Sequence, residues 1–255
     1  MSKFYTMECD KIYLGDCLEV MKTFPDDSVD LIVTSPPYNN WRNRRTQANR
    51  SSYWKRTNIV YDAHPDKLSD EEYERGQINV LNEMLRILKP TGTICYNHKD
   101  RIFDFQVRTP LSWILKSKAV YRQRITWDRC GMQAYNPVRF YRVEEDIYIL
   151  GKQAKGFKWN KDAAKYLSVW RIPPNRNIYE HNATFPEEMV TRCVTAFTDV
   201  GDVVLDPYNG TGTTTKVASE MGRYYIGIDT SEKYNKIAES RVHRKDSIDQ
   251  TTQNG

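Results

Sequence analysis

No apolar run in this sequence approaches the roughly 20 residues that a membrane-crossing helix requires. The opening residues Met1-Ser2-Lys3-Phe4-Tyr5 show no signal-peptide pattern either, so a soluble, cytoplasmic protein without a membrane role is expected. Cysteine is sparse. Cys9, Cys17, Cys95, Cys130 and Cys193 lie far apart, form no Cys-x-x-Cys pair and have no histidine at metal-ligand spacing. They are therefore expected to be reduced thiols, mostly core fillers, with no metal site. No internal repeat is visible. The net charge of +5 over 255 residues carries no argument for nucleic acid by itself, whereas 39% hydrophobic content suffices for a sizeable core in one domain with extensions. Acidic residues are missing from one stretch in particular, between Trp41 and Arg56.

The stretch that organises the rest is Val-Val-Leu-Asp-Pro-Tyr-Asn-Gly-Thr-Gly-Thr-Thr-Thr, residues 203–215. It reads as a strand, a tight loop carrying Gly210 and Gly212, and the start of a helix. Glycines at such a junction let the backbone approach a ligand, and the helix start offers unpaired N–H groups. About 20 residues further on, the apolar run Tyr224–Ile228 ends on Asp229, where a carboxylate is placed to accept hydrogen bonds from a ribose. A nucleoside-containing cofactor is the first reading; an ordinary glycine turn is the other.

A second strand, Asp30–Thr34, runs into Ser35-Pro36-Pro37-Tyr38. Two consecutive prolines cannot continue a ladder, so a stiff extended loop follows the strand's carboxyl end, where open α/β sheets bind ligands. A hydroxyl, a fixed carbonyl and an aromatic face within four residues suit a planar base bearing an amino group.

Ser35-Pro36-Pro37-Tyr38 resembles the catalytic tetrapeptide of the DNA amino-methyltransferases, and Asp206-Pro207-Tyr208-Asn209-Gly210-Thr211-Gly212 resembles their S-adenosylmethionine loop. The catalytic loop comes first here, the circularly permuted order of the family's β group, and the likeness extends from Ile12 to about Arg241. The resemblance implies a Rossmann-like α/β fold, a mostly parallel sheet with helices on both faces and an antiparallel hairpin. It implies S-adenosyl-L-methionine as cofactor, held by residues 206–212 with Thr213 and Asp229, and duplex DNA as substrate. A monomer or homodimer and a cognate restriction endonuclease are further expectations of this kind. In the family a carboxylate matching Asp16 commonly contacts the cofactor's adenine, with a simple cap of the next helix as the alternative reading of Asp16. Phe185-Pro186-Glu187 resembles the segment that packs on the methionine part of the cofactor, while Pro186-Glu187-Glu188 also reads as a helix start.

In chain order, Ile12–Leu14 reads as a strand, residues 17–23 as a helix, and Ser69–Leu88 as a helix stopped by Lys89-Pro90-Thr91-Gly92 before a strand at Thr93–Tyr96. One residue of Asn97-His98-Lys99-Asp100 is expected to touch cofactor or DNA, although His98 also reads simply as a loop histidine. A helix at 111–117 precedes a hairpin of Val120–Trp127 with Glu145–Gly151. Its connection, which the family's pattern uses to enclose a flipped base, carries Arg129, Arg139 and Arg142. The loop after Tyr38 holds Trp41, Arg42, Arg44, Arg45, Arg50, Tyr53, Trp54, Lys55 and Arg56, suited to phosphates and base stacking over DNA, or else simply solvated. The expected organisation is a catalytic half at 1–151 with its basic loop at 39–68, a basic and aromatic target-recognition insert at 152–180, and a cofactor half at 181–241 with a final helix at 231–241. A disordered tail at 242–255 completes it.

An exocyclic amine is a poor nucleophile because its lone pair is delocalised, so a site must accept its hydrogens and align it with the methyl donor. Pro36 carbonyl and the Ser35 hydroxyl are the expected acceptors and Tyr38 the stacking face, acting on a base flipped out of the duplex. No Pro-Cys nucleophile motif is present, which argues against carbon-5 methylation. In this family a serine rather than an acidic residue before Pro-Pro leans towards N4 of cytosine over N6 of adenine. An RNA or protein glutamine methyltransferase has the two loops in the opposite order. A catalytically silent DNA-binding scaffold is a reading of another class, and a nicotinamide dehydrogenase leaves Pro36-Pro37 unexplained.

Overall fold

The computed structural model describes residues 7–39, 68–103, 106–131, 140–174 and 186–242. Its centre is an eight-stranded sheet. In chain order the strands are β1 (Lys11–Leu14), β2 (Val29–Thr34), β3 (Leu88–His98), β6 (Val120–Asp128), β7 (Glu144–Gly151), β8 (Val169–Arg171), β9 (Val203–Asp206) and β10 (Tyr224–Asp229). Across the sheet they run β1-β10-β9-β2-β3-β7-β6-β8. The first five are parallel, β7 is antiparallel to both neighbours, and β8 joins β6 in parallel. A separate small hairpin pairs β4 (Arg101–Phe103) with β5 (Gln106–Arg108).

Alternate residues of the strands feed two cores. Ile32, Ile94, Tyr96, Leu205 and Ile226 pack on one face with residues of α1 (Cys17–Met21), α2 (Asp70–Ile87) and α3 (Leu111–Ile114). Leu31, Val33, Cys95 and Val204 pack on the other with α4 (Glu187–Phe197) and α5 (Thr213–Glu220), beside which lies α6 (Glu232–Val242). Strands buried on both faces read as continuous apolar runs, which is why Leu31-Ile32-Val33 stood out in the sequence. Ser69 starts α2 with a capping box, its hydroxyl accepting from the Glu72 amide while the Glu72 carboxylate accepts from the Ser69 amide.

One expectation changes. No separate turn follows α2: β3 begins at Leu88, whose partner is Val29, and the register then shifts before Leu31 pairs with Thr93. Gly92 permits this close approach, since a Cβ there would lie 2.8 Å from the Asp30 carbonyl oxygen. Residues 152–174, read from the sequence as a basic and aromatic block with little apolar periodicity, extend the sheet and the second core. Ala163, Trp170 and Ile172 are buried, and the Trp127 indole donates to the Ile172 carbonyl at 2.7 Å. Three buried side chains spread over ten residues, the first within a 3-10 turn at Lys161–Lys165 and the second in β8, leave no periodic trace in sequence. Residues 175–180 and the tail beyond 242 lie outside the described residues.

Candidate active site

The two motifs leave neighbouring parallel strands at the same end. Leu31 pairs with Val204 and Ile32 with Leu205, so Ser35 follows the end of β2 where Pro207 follows the end of β9. A buried hydrogen bond ties the two ends together, the Thr34 hydroxyl donating to Asp206 Oδ1 at 2.8 Å. The same carboxylate accepts from the Tyr208 amide at 3.0 Å and, through Oδ2, from the Thr214 hydroxyl at 2.8 Å. Burial pushes its carboxyl up to about 6 against the pull of these donors, with nearby Asp229 adding to the rise.

This shift has a consequence for stability. Between the ordinary value of 3.8 and about 6, the folded chain holds a proton on Asp206 that the unfolded chain has released. The penalty for ionising this buried group is absent below pH about 4 and fully present above pH about 6, of the order of 3 kcal/mol. Asp206→Asn removes that dependence. Its unfolding midpoint relative to the parent is expected to rise steadily from pH 4 to about 6.5 and then level off; a difference flat across that range would contradict the assignment.

The loop at 207–212 is built for close approach. Gly210 and Gly212 have φ of 50° and 80°, in the left-handed region that glycine adopts without strain. Asn209 lies over the bare backbone of β10, where a Cβ on Gly227 would come within 2.5 Å of its Nδ2. That Nδ2 is buried and has no hydrogen-bond partner among the described residues. Asp229, at the end of β10, accepts from the Gly210 amide at 2.9 Å through Oδ2 and from the Ser231 amide at 2.8 Å through Oδ1. A glycine loop, a buried amide donor and a carboxylate at the next strand's end fit a nucleoside cofactor. Asp16 takes its capping role: Oδ1 accepts from the Leu18 amide at 2.9 Å and the Glu19 amide at 3.2 Å.

Sequence reading overlooked the residue that braces this loop from behind. Arg241 on α6 is buried, and its Nη1 donates to the Thr211 carbonyl at 2.6 Å and the Thr213 hydroxyl at 3.3 Å. Its Nη2 donates to Glu187 Oε1 at 3.1 Å, and Lys216 Nζ holds Glu187 Oε2 at 2.9 Å. Glu187, expected beside the cofactor, thus bridges α4, α5 and α6; Pro186 stands at the N-cap of α4 and Phe185 lies outside the described residues. The only signal for Arg241 was its place three residues after Ala238 on the buried face of α6.

At the loop after β2 the Ser35 hydroxyl stands 2.7 Å from that of Tyr38. The Tyr38 hydroxyl donates to Glu145 Oε2 at 3.0 Å. Asn97 Nδ2 donates to the Tyr38 oxygen at 2.8 Å and to Glu145 Oε2 at 3.0 Å, and lies 3.4 Å from Ser35 Oγ. Glu145, buried on β7, was not singled out in the sequence, because a hairpin position carries no motif. Pro36 is buried, and the Pro37 carbonyl accepts from the Tyr73 hydroxyl at 2.7 Å. That hydroxyl is also 2.8 Å from His98 Nε2, whose ring lies 4.4 Å from the Tyr38 ring between centroids. Burial, aided by Arg101 and Lys99, pushes His98 down to about 3, and its Nδ1 lies 2.7 Å from the Lys99 carbonyl oxygen. His98 is a support behind Tyr38 rather than a loop residue.

Of the basic residues expected on DNA, two are described and both are ion-paired. Arg129 Nη1 contacts Glu145 Oε1 at 3.0 Å, and Arg142 bridges Asp100 at 3.0 Å and Glu144 at 2.7 Å. Trp41, Arg42, Arg44, Arg45, Arg50, Tyr53, Trp54, Lys55, Arg56 and Arg139 lie outside the described residues. Among the described residues no group of three or more His, Cys, Asp or Glu could hold a metal ion, and no helix is long and apolar enough to cross a membrane.

Comparison with known proteins agrees with this geometry. The chain is 29% identical to the type II methyltransferase M.BglII of Bacillus subtilis over 93% of its own length and 70% of the relative's. It is 31% identical to M.HinfI of Haemophilus influenzae over 91% of its length and 67% of the relative's. Among solved structures, a putative DNA modification methylase from Thermus thermophilus, complexed with S-adenosyl-L-methionine, superposes with a TM-score of 0.66 at 26% identity, covering 92% of this chain and 95% of that one. The PvuII cytosine-N4-specific DNA methyltransferase shares the fold, with a TM-score of 0.71 at 18% identity over 94% of this chain and 88% of that one. The N6/N4 DNA methylase family matches residues 29–240, and the chain belongs to it.

Proposed function

We propose that this DNA methylase transfers a methyl group from S-adenosyl-L-methionine to the exocyclic N4 amine of a cytosine flipped out of duplex DNA. The observation that carries the reading is the hydroxyl of Ser35, set one strand away from the glycine loop and joined to it through Thr34 and Asp206. Residues 206–213 with Asp229 would hold the cofactor, which supplies the methyl group as an electrophile. Ser35 and the Pro36 carbonyl accept the amine's hydrogens, and Tyr38 offers its ring to the base. In the family, a serine rather than an acidic residue before Pro-Pro leans towards cytosine, and Ser35 holds that position here. Asp16 keeps an adenine contact open to it alongside the helix cap. Basic residues at 41–56, with Arg129, Arg139 and Arg142, are assigned to the opened DNA, and a nuclease sharing the target sequence is the partner expected.

The test is to incubate the purified protein with S-adenosyl-L-methionine and duplex DNA of mixed sequence, digest to nucleosides and identify the products by mass spectrometry. N4-methylcytosine is expected. N6-methyladenine would keep the cofactor and the loops but overturn the base assignment; cofactor binding without any methylated nucleoside would point to RNA or a missing partner, and DNA binding without cofactor binding to the silent DNA-binding scaffold.

A further inference from the structure

We infer that Glu145 is the terminal proton acceptor of the methyl transfer, reached from the substrate amine through Ser35 and Tyr38; this rests on the amine-methylation reading above. The direction of the chain follows from counting protons. Tyr38 has one hydroxyl proton and donates it to Glu145 Oε2 at 3.0 Å, so in the 2.7 Å contact between the hydroxyls Ser35 must be the donor. Asn97 Nδ2 fixes this order by donating to the Tyr38 oxygen and to Glu145 Oε2; turned over, its carbonyl would face the carboxylate. What remains on Ser35 Oγ for the substrate is acceptor capacity.

As the amine nitrogen forms the new N–C bond, the C–S bond breaks and its electrons return to sulfur, leaving a positive charge on nitrogen. The amine proton then passes to Ser35 Oγ, the serine proton to Tyr38, and the tyrosine proton to Glu145, which becomes a neutral acid. Serine and tyrosine are restored unchanged, and the cationic donor and the anionic carboxylate both end neutral. A serine hydroxyl is too weak a base to hold the proton, so an onward path is what makes it a competent acceptor.

Charged and titratable groups stand around this carboxylate and the Tyr38 ring that leads to it. Arg129 Nη1 contacts Oε1 at 3.0 Å, Lys99 Nζ stands 5.0 Å from the Tyr38 ring centroid, and His98 packs against the same ring. The neighbouring Asp146 is bonded to Thr126 at 3.2 Å and stands 3.8 Å from Arg124 Nε.

The experiment measures kcat against pH at saturating cofactor and DNA, with cofactor affinity by calorimetry, for the parent, Glu145→Gln, Glu145→Asp and Tyr38→Phe. The expected result for Glu145→Gln is a kcat about 100-fold lower, an acid limb present in the parent and lost in the variant, and a cofactor Kd within about twofold. Tyr38→Phe, which cuts the chain one link earlier and leaves the carboxylate in place with one donor fewer, is expected to behave alike. Glu145→Asp is expected to recover part of kcat. A Glu145→Gln or Tyr38→Phe enzyme within about threefold of the parent, or one that keeps the parent's acid limb, overturns the relay. A parent that methylates no nucleoside fails the functional reading instead, so the two failures are distinguishable.

Discussion

Replacing Gly212 by Ala is expected to lower the thermal unfolding midpoint by about 6–12 °C and to weaken S-adenosyl-L-methionine binding about tenfold or more. Gly212 sits at φ 80°, a conformation that costs an L-residue about 1–2 kcal/mol. The added Cβ would also come within 2.5 Å of Ala238 Cβ and 2.9 Å of Ala238 Cα, so the obstacle includes helix backbone and cannot simply rotate away. Overpacking of this kind costs about 1–3 kcal/mol, which with the strain gives about 3 kcal/mol. The easiest relief is outward movement of residues 209–212, and that breaks the Gly210 amide bond to Asp229 and the Arg241 bond to the Thr211 carbonyl. Cofactor affinity therefore falls with stability. Gly76→Ala is the control: nothing lies within 4 Å of its added Cβ, and the substitution in mid-helix is expected to raise stability by up to about 1 kcal/mol. Calorimetric titration and thermal melts of both variants decide the matter, and a Gly212→Ala enzyme with parental affinity would mean the loop is not where the cofactor lies.

Tyr38→Ala is expected to reduce kcat about 10³-fold while leaving cofactor Kd within about twofold. Stacking of a base on an aromatic ring contributes about 1–3 kcal/mol, and removing the hydroxyl strips a buried carboxylate of a donor at about 1–3 kcal/mol more. Together these approach the roughly 4 kcal/mol that a thousandfold change in rate represents. The separation from binding follows from geometry: Tyr38 bonds to Ser35 and Glu145, accepts from Asn97, and packs on His98, none of which belongs to the 206–212 loop. Single-turnover methyl transfer with saturating cofactor measures the loss. Full activity in this variant would remove Tyr38 from any role in holding the base.

Much of the fold was legible in the residues because its signals are local. Strands buried on both faces are short apolar runs, Ser69 and Glu72 announce a helix start three residues apart, and Gly210 and Gly212 mark a turn that other residues could not make without strain. Both candidate loops were legible in the same way, since proline pairs and glycine turns are confined to a few consecutive positions. The order of the two loops along the chain was also visible, and with it the permuted arrangement.

Tertiary structure alone decided which distant residues complete the site. Glu145 reaches Tyr38 across a sequence separation of 107, and only the sheet order, with β7 beside β3 and β3 beside β2, brings the two together. Arg241 is drawn under the glycine loop by the packing of α6 against α5, although in sequence it is one more basic residue of a polar helix. Residues 152–174 read as a basic and aromatic block because charge dominates their composition; that three buried side chains and one parallel strand pairing attach them to the core is visible only in the structure. The sequence by itself determined the chemistry-bearing loops, because backbone conformation there is dictated by the residues that occupy it. The partners that hold those loops in place were decided by strand order and helix packing, because a hydrogen bond between residues a hundred positions apart leaves no spacing for a single sequence to display.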